Sequence, residues 1–572
     1  MTNEQKYAIG VDFGTESGRA LLVEVATGRE LATSVYPYAN GVIDEVLPLD
    51  AGIPLPPDTA LQDPEDYVRT LRHTVPAVLR QAGVNPSDVI GIGIDFTSCT
   101  MLPTTEDAVP LCVLPEYRRN PHAWVKLWKH HAAQPEADRI NALAQERGDP
   151  WLPRYGGKIS SEWFFPKAFQ ILDEAPDVYA AAGFLIEAAD WVVWRLTGEQ
   201  KRNSCTAGYK AMWSKREGYP SEDYFAALDS RAADIIDEKM LREIFSIGEC
   251  AGGLTEEAAN WTGLRPGTPV AVANVDAHVS VPAATVTEPG RMVMVMGTST
   301  CHLVLSPDER IVEGMCGVVE DGILPGLFGY EAGQSAVGDI FAWFVESCVP
   351  PQYHERAGEL GVSVHQVLET EAAKLEPGES GLLALDWWNG NRSVLVSANL
   401  SGLILGMTLG TTAPEMYRAL IEATAFGTRV IVDAFNSSGV AVNDLVACGG
   451  LPNRNRLMMQ IYADVLGMEI SVAASEQTPA LGSAMFGAVA AGRAAGGYDS
   501  IFDAAQHMAH LKDEKFTPIE AKQQVYERLY REYVTLYDYF GRGGNPIMKV
   551  LKEISAAASP AVPPLKEEVS HA

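Results

Sequence analysis

The first forty residues alternate between apolar runs and turn-forming clusters in the manner of a three-strand meander. Tyr7–Asp12 is an apolar run that turns at Gly14-Thr15-Glu16-Ser17, Gly18–Val25 returns, and Thr27-Gly28 makes a second turn before Glu30–Tyr36. Asp63 then stands where a helix cap belongs, ahead of a helix through about Gln81. The apolar strand Val89–Ile94 follows and ends at Asp95.

A related pattern starts again in the second half. Pro269–Asn274 reads as an apolar strand ending at Asp276. Met292–Met296 is another, running into Gly297-Thr298-Ser299-Thr300, and Cys301–Leu305 is its return. A long helix is expected from Pro414 to about Phe435, then the strand Leu445–Cys448, Gly449-Gly450 and a helix from about Asn453 to Leu466. Gly482 to Arg493 reads as a small-residue helix suited to close packing. Each half thus carries one hydroxyl-rich hairpin tip after an apolar strand, and a duplicated architecture is the simplest account. Meander, helix and strand in that order open an RNase H-like unit. The expected fold is α/β, with two such domains, 1–265 and 266–545, around a deep cleft, and a disordered tail over 546–572.

Between the halves, from Leu114 to about Leu264, Trp, Pro and helical periodicity dominate. Trp124, Leu127 and Trp128 are expected to share one helical face, and Trp191, Trp194 and Arg195 another; such aromatics are read as core.

Composition agrees with two lobes, because 572 residues exceed one ordinary core. No apolar run reaches membrane-spanning length, and the polar start Met1–Lys6 leads straight into a strand. A cytoplasmic protein without a signal peptide is expected. The eight cysteines form no CxxC pair, so they are expected to be reduced and partly buried. A net charge of -30 opposes binding to nucleic acid or anionic membrane. It also repels ATP at long range, so phosphates would need backbone N–H groups, a local cation and Mg²⁺. Homo-oligomer formation is compatible with this composition.

The candidate chemistry lies at the hairpins. In Asp12-Phe13-Gly14-Thr15-Glu16-Ser17 the glycine lets backbone approach a phosphate, the hydroxyls add donors, and Asp12 is placed to hold Mg²⁺. A plain β-turn accounts for one such segment equally well. With Gly297, Thr298 and Ser299 as a second loop, a nucleotide clamp accounts for both. Gly449-Gly450 between strand and helix leaves a surface free of side chains for a base or ribose, with Asn453 expected as the helix cap. Asp276 suits a general base toward a hydroxyl, and His278 is read as helix-start structure.

These elements, in this order, resemble the FGGY carbohydrate kinases, which have the actin-like ATPase fold. The resemblance runs from Tyr7 to about Tyr539. Gly157-Lys158-Ile159-Ser160-Ser161-Glu162-Trp163 with Lys167 is similar to one family signature, Gly402–Glu422 approximates the other, and Trp191–Gly198 is a further family-like helix end. The usual sugar-binding segment is replaced here by Pro115-Glu116-Tyr117-Arg118 and the run Asn120–His131. With Asp95–Thr100, that run is similar to the members that phosphorylate L-ribulose. The resemblance implies ATP and Mg²⁺ as cofactors and a small sugar as partner, met by Ser98, Lys210, Asp276 and Glu331. Lys210 among apolar neighbours and Glu331 between glycines agree with ligand approach. The alternatives are another pentulose or polyol kinase, or a non-catalytic actin-like ATPase switch, which would need a peptide-binding or polymerising module.

Overall fold

The computed structural model describes residues 5–50 and 52–558. Two seven-stranded sheets organise them. Numbering only the strands of these sheets, the first contains β1 (Tyr7–Phe13), β2 (Ser17–Glu24), β3 (Glu30–Pro37), β4 (Val89–Phe96), β5 (Cys250–Gly253), β6 (Pro269–Ala271) and β7 (Asn274–Val275). Their order is β5-β6-β4-β1-β2-β3, with β7 pairing β4 further along. β1 and β2 pair antiparallel, as do β2 and β3, while β1 and β4 are parallel. All eight residues of β4 are buried, as expected of a parallel strand covered on both faces.

The second sheet contains β8 (Gly290–Met296), β9 (Thr300–Ser306), β10 (Gly317–Glu320), β11 (Phe328–Gln334), β12 (Val442–Cys448), β13 (Ile470–Ala473) and β14 (Leu511–Phe516). The order β10-β11-β9-β8-β12-β13-β14 repeats the logic of the first: an antiparallel hairpin whose first strand pairs in parallel with the strand that follows a long helix. That helix is Pro64–Ala82 in the first lobe, capped by Asp63, and Ala413–Ser437 in the second.

The small-residue helix Thr478–Ala491 crosses back from the second sheet to the first. A Cβ on Gly10, Gly91 or Gly93 would collide with the carbonyls of Ala480, Gly487 or Ser483 respectively, so strand and helix backbones touch directly. On the helix itself, a Cβ on Gly482 would collide with the Val279 carbonyl of the helix Asp276–Ala283.

Four expectations are corrected. The run Pro269–Asn274 is broken into β6 and β7, both paired with β4, so the first sheet extends to Val275, past a boundary at 265. Trp124, Leu127 and Trp128 share no helical face: Pro121–Ala123 is a 3₁₀ turn and Val125–Lys126 a short strand, because Lys126 and β-branched Val125 pair with Leu61, Gln62 and Met101. The helix after Gly449-Gly450 begins at once, as Gly450–Arg454, and restarts as Arg456–Leu466, with Asn455 rather than Asn453 as the cap. Finally, Ile547–Ala558 is a helix, carrying Ile547, Val550, Leu551 and Ile554 at helical spacing; residues 559–572 of the expected tail lie outside the described residues.

Candidate active site

Carboxylates gather at the carboxyl ends of neighbouring strands of the first sheet, the end at which open α/β sheets hold ligands. Asp12 on β1 stands in register with Asp95 on β4, and Asn274 on β7 stands opposite Asp95 on the other side. Asp276, two residues later, opens the helix Asp276–Ala283, where its Oδ1 accepts the Ala277 N–H at 2.6 Å. Burial pushes Asp276 up to about 7, and the charge of Asp12 adds to the rise. A carboxylate so placed is matched to taking a proton near neutral pH.

Asp12 is itself raised by burial, with the Arg19 guanidinium, Nε 3.3 Å from Oδ2, pulling the other way. Asp95 is wholly buried and pushed well above the carboxylate range, first by burial and then by Asp12. Its Oδ1 has no hydrogen-bond partner among the described residues.

Both hairpin tips are tied down by their own backbone. Gly14 N–H donates to Ser17 O at 3.0 Å and Gly297 N–H to Ser299 O at 3.0 Å. Those two N–H groups are therefore occupied, and the residues between remain to meet a phosphate. Trp128 Nε1 donates to Thr15 Oγ1 at 3.0 Å, and Gln62 Nε2 donates to Thr15 O at 2.7 Å. In the second tip, Ser299 Oγ accepts the Ala336 N–H at 3.2 Å, and Gly338 N–H donates to Thr298 O at 2.9 Å. Gly449 sits beside that tip at φ +94°, where a Cβ would come 2.5 Å from Met296 O, while Gly450 faces open space. Asn453 turns its Nδ2 back onto Gly449 O at 3.0 Å, bracing the glycine pair.

Lys210 ends the helix Ser204–Lys210 and donates to both Glu331 oxygens, at 2.9 and 2.8 Å. The pair is buried, 1% and 5% exposed at the side chains. Burial alone would raise Glu331, but Lys210, His278 and Arg392 hold it at about 2. Two of the three Lys210 N–H groups are thus spent on Glu331, leaving one for a ligand. His278 packs against Tyr209 with the rings tilted by 44° and their centroids 4.4 Å apart, and its Nε2 is 3.5 Å from Glu331 Oε2. Burial lowers it to about 4, so it is neutral.

Arg392, unmarked in the sequence reading, brings Nη2 to 3.7 Å from Glu331 and 3.8 Å from Glu162. It follows Asn389-Gly390-Asn391, and a cation inside a glycine- and asparagine-bearing turn was the available signal. Ser98 is half-buried in the loop after β4, where Thr97 and Thr100 hydroxyls bond at 2.9 Å and Cys99 takes φ +61°.

Residues 7–281 match the N-terminal domain of the FGGY family of carbohydrate kinases, and residues 292–491 match its C-terminal domain. The chain belongs to the FGGY family of carbohydrate kinases. Among FGGY relatives, it is 59% identical to a ribulokinase of Geobacillus thermodenitrificans, over 97% of this chain and 98% of that one. It is 60% identical to a ribulokinase of Halalkalibacterium halodurans (96% and 98%), and 52% identical to one of Mycolicibacterium smegmatis (97% and 97%). The fold matches that of xylulose kinase from Rhodospirillum rubrum, with a TM-score of 0.75 at 24% identity, covering 93% of this chain and 98% of that one. It also matches Plasmodium falciparum glycerol kinase with ADP, at TM-score 0.70 and 16% identity, covering 93% and 98%. The actin-like ATPase fold of FGGY kinases is thereby this chain's fold.

All eight cysteines are free thiols. Among the described residues no helix is long and apolar enough to cross a membrane, and no group of three or more His, Cys, Asp or Glu could hold a metal ion.

Proposed function

We propose that this chain transfers the γ-phosphoryl group of ATP to L-ribulose, giving L-ribulose 5-phosphate and ADP in L-arabinose catabolism, in the cytoplasm. The observation that carries the reading is 52–60% identity, over nearly the whole chain, to relatives named ribulokinase. The buried Lys210–Glu331 pair near Asp276 supports it.

In this reading the first lobe binds the sugar and the second the nucleotide. Ser98 borders the sugar, the third Lys210 N–H donates to one hydroxyl, and Glu331 accepts from another. Asp276 takes the proton of the attacking hydroxyl as its oxygen bonds to the γ-phosphorus. The bond from that phosphorus to the β–γ bridging oxygen breaks, and ADP leaves with its electron pair. Backbone N–H groups of the tips, at Thr15 after Gly14 and at Thr298 and Ser299 after Gly297, face the charge that spreads over the transferring oxygens. The ribose and adenine lie against Gly449-Gly450, braced by Asn453.

Mg²⁺ chelated by phosphates needs only one or two protein carboxylates, not a closed cage. Asp12, at the carboxyl end of β1 beside the Gly14 hairpin, fits that donor set. When bound, the ion neutralises phosphate charge.

An assay of ADP release across L-ribulose, D-ribulose, D-xylulose, L-arabinose, ribitol and glycerol tests the reading. L-Ribulose is expected to give the highest kcat/KM. A clear preference for D-xylulose or glycerol would replace it with another kinase of the family, and ATP turnover without any sugar dependence would favour a switch.

A further inference from the structure

Lys167 lies on the helix Phe164–Glu174 and is wholly buried. Its Nζ donates to the carbonyl of Cys99 at 2.6 Å and to that of Leu127 at 2.7 Å. Among the described residues it forms no ion pair. An ammonium sealed from water without a counter-ion is costly, and burial pulls it down to about 8. A side chain with no task beyond filling this core would be apolar.

Both carbonyls it holds belong to the proposed site. Cys99 immediately follows Ser98, and its left-handed φ of +61° is a conformation that a non-glycine residue keeps only where the surroundings impose it. The short bond from Lys167 to Cys99 O supplies that constraint. The other carbonyl, Leu127 O, precedes Trp128, whose indole N–H holds Thr15 of the first hairpin at 3.0 Å. One ammonium therefore joins the loop beside the sugar to the segment that braces the phosphate hairpin.

The geometry points to Lys167 as a positioning residue: through the Cys99 and Leu127 carbonyls it fixes the Ser98 loop against the Thr15 hairpin, and so sets sugar binding without touching the sugar. This rests on the L-ribulose reading. If wild-type protein fails to turn over L-ribulose, that reading falls; if wild type is active and the variants below behave like it, only the role of Lys167 falls.

The test is steady-state kinetics of full-length Lys167→Met and Lys167→Gln, beside their thermal midpoints. Lys167→Met removes both bonds; Lys167→Gln keeps amide N–H donors at shorter reach and preserves part of the tie. Displacement of a positioning loop by about 1 Å costs on the order of 100-fold. The expected result is a KM for L-ribulose raised about 10- to 100-fold in Lys167→Met and less in Lys167→Gln, with KM for ATP changed little. A lowered thermal midpoint with an unchanged sugar KM overturns the proposal. So does an equal rise in both KM values, or failure of both variants to fold, since each assigns Lys167 to the core alone.

Discussion

Ser483 Oγ donates to Asp95 Oδ2 at 2.5 Å, joining the helix that crosses from the second sheet to the central strand of the first. Asp95 is held far above the usual carboxylate range by burial and by Asp12, so it carries its proton in the folded protein at pH values where the unfolded chain has lost it. The sign follows: the native state binds the extra proton, so stability falls as pH climbs from the ordinary value of 3.8 toward the raised one. Asp95→Asn removes that titration while keeping a group that can bond Ser483. Urea midpoints measured from pH 4 to 7 should decline less steeply for Asp95→Asn than for wild type; parallel declines would mean that Asp95 is ionised throughout.

Asp276 makes a second pH prediction. Because burial and Asp12 lift it to about 7, and the base must be unprotonated to act, kcat/KM for the sugar should fall as pH drops below about 7. Asp276→Asn should cut kcat by about 10²- to 10⁴-fold and abolish this acid limb, with sugar binding measured by calorimetry largely retained. Near-wild-type turnover would remove Asp276 from the role of base.

Lys210→Met strands Glu331 in the interior with Arg392, at 3.7 Å, and the uncharged His278, at 3.5 Å, left to answer it. Breaking a buried ion pair from one side costs about 3–5 kcal/mol, so chemical denaturation should show a loss of that order, together with weakened sugar binding. A loss below about 1 kcal/mol would show that water reaches Glu331 readily.

The two glycines after β12 separate folding from nucleotide binding. Gly450→Ala meets no atom within 4 Å, so its stability should stay within about 0.5 kcal/mol of wild type, while KM for ATP rises because the methyl group enters the proposed ribose and adenine surface. Gly449→Ala forces a φ of +94° on alanine and drives its Cβ against Met296 O, and should destabilise by about 1–3 kcal/mol. An unchanged ATP KM in Gly450→Ala would move the nucleotide elsewhere.

Much of this was legible in the chain because strands and hairpin tips are local. The apolar run of β1, the turn at Gly14 and the return of β2 lie within some twenty residues, and the second hairpin repeats the device. Asp276 was readable for the same reason, as an acid at the end of a buried strand. What escaped depends on contacts distant in sequence. Arg392 meets Glu162 and Glu331 only through folding, and Asp95 is raised by its burial in the folded sheet and then by Asp12, which β1 and β4 set beside it. The close approach that the glycines at 10, 91 and 93 allow becomes visible only when the crossing helix is laid on them. Near Trp124, the aromatic spacing imitated a helix, whereas Val125 and Lys126 pair as a strand with Gln62 and Leu61, some sixty residues earlier.

That crossing helix also limits how the molecule can breathe. Where backbones touch with no side chains between them, sliding by a turn would press Leu481 or Phe486 into space sized for a glycine hydrogen, so translation between the sheets is blocked.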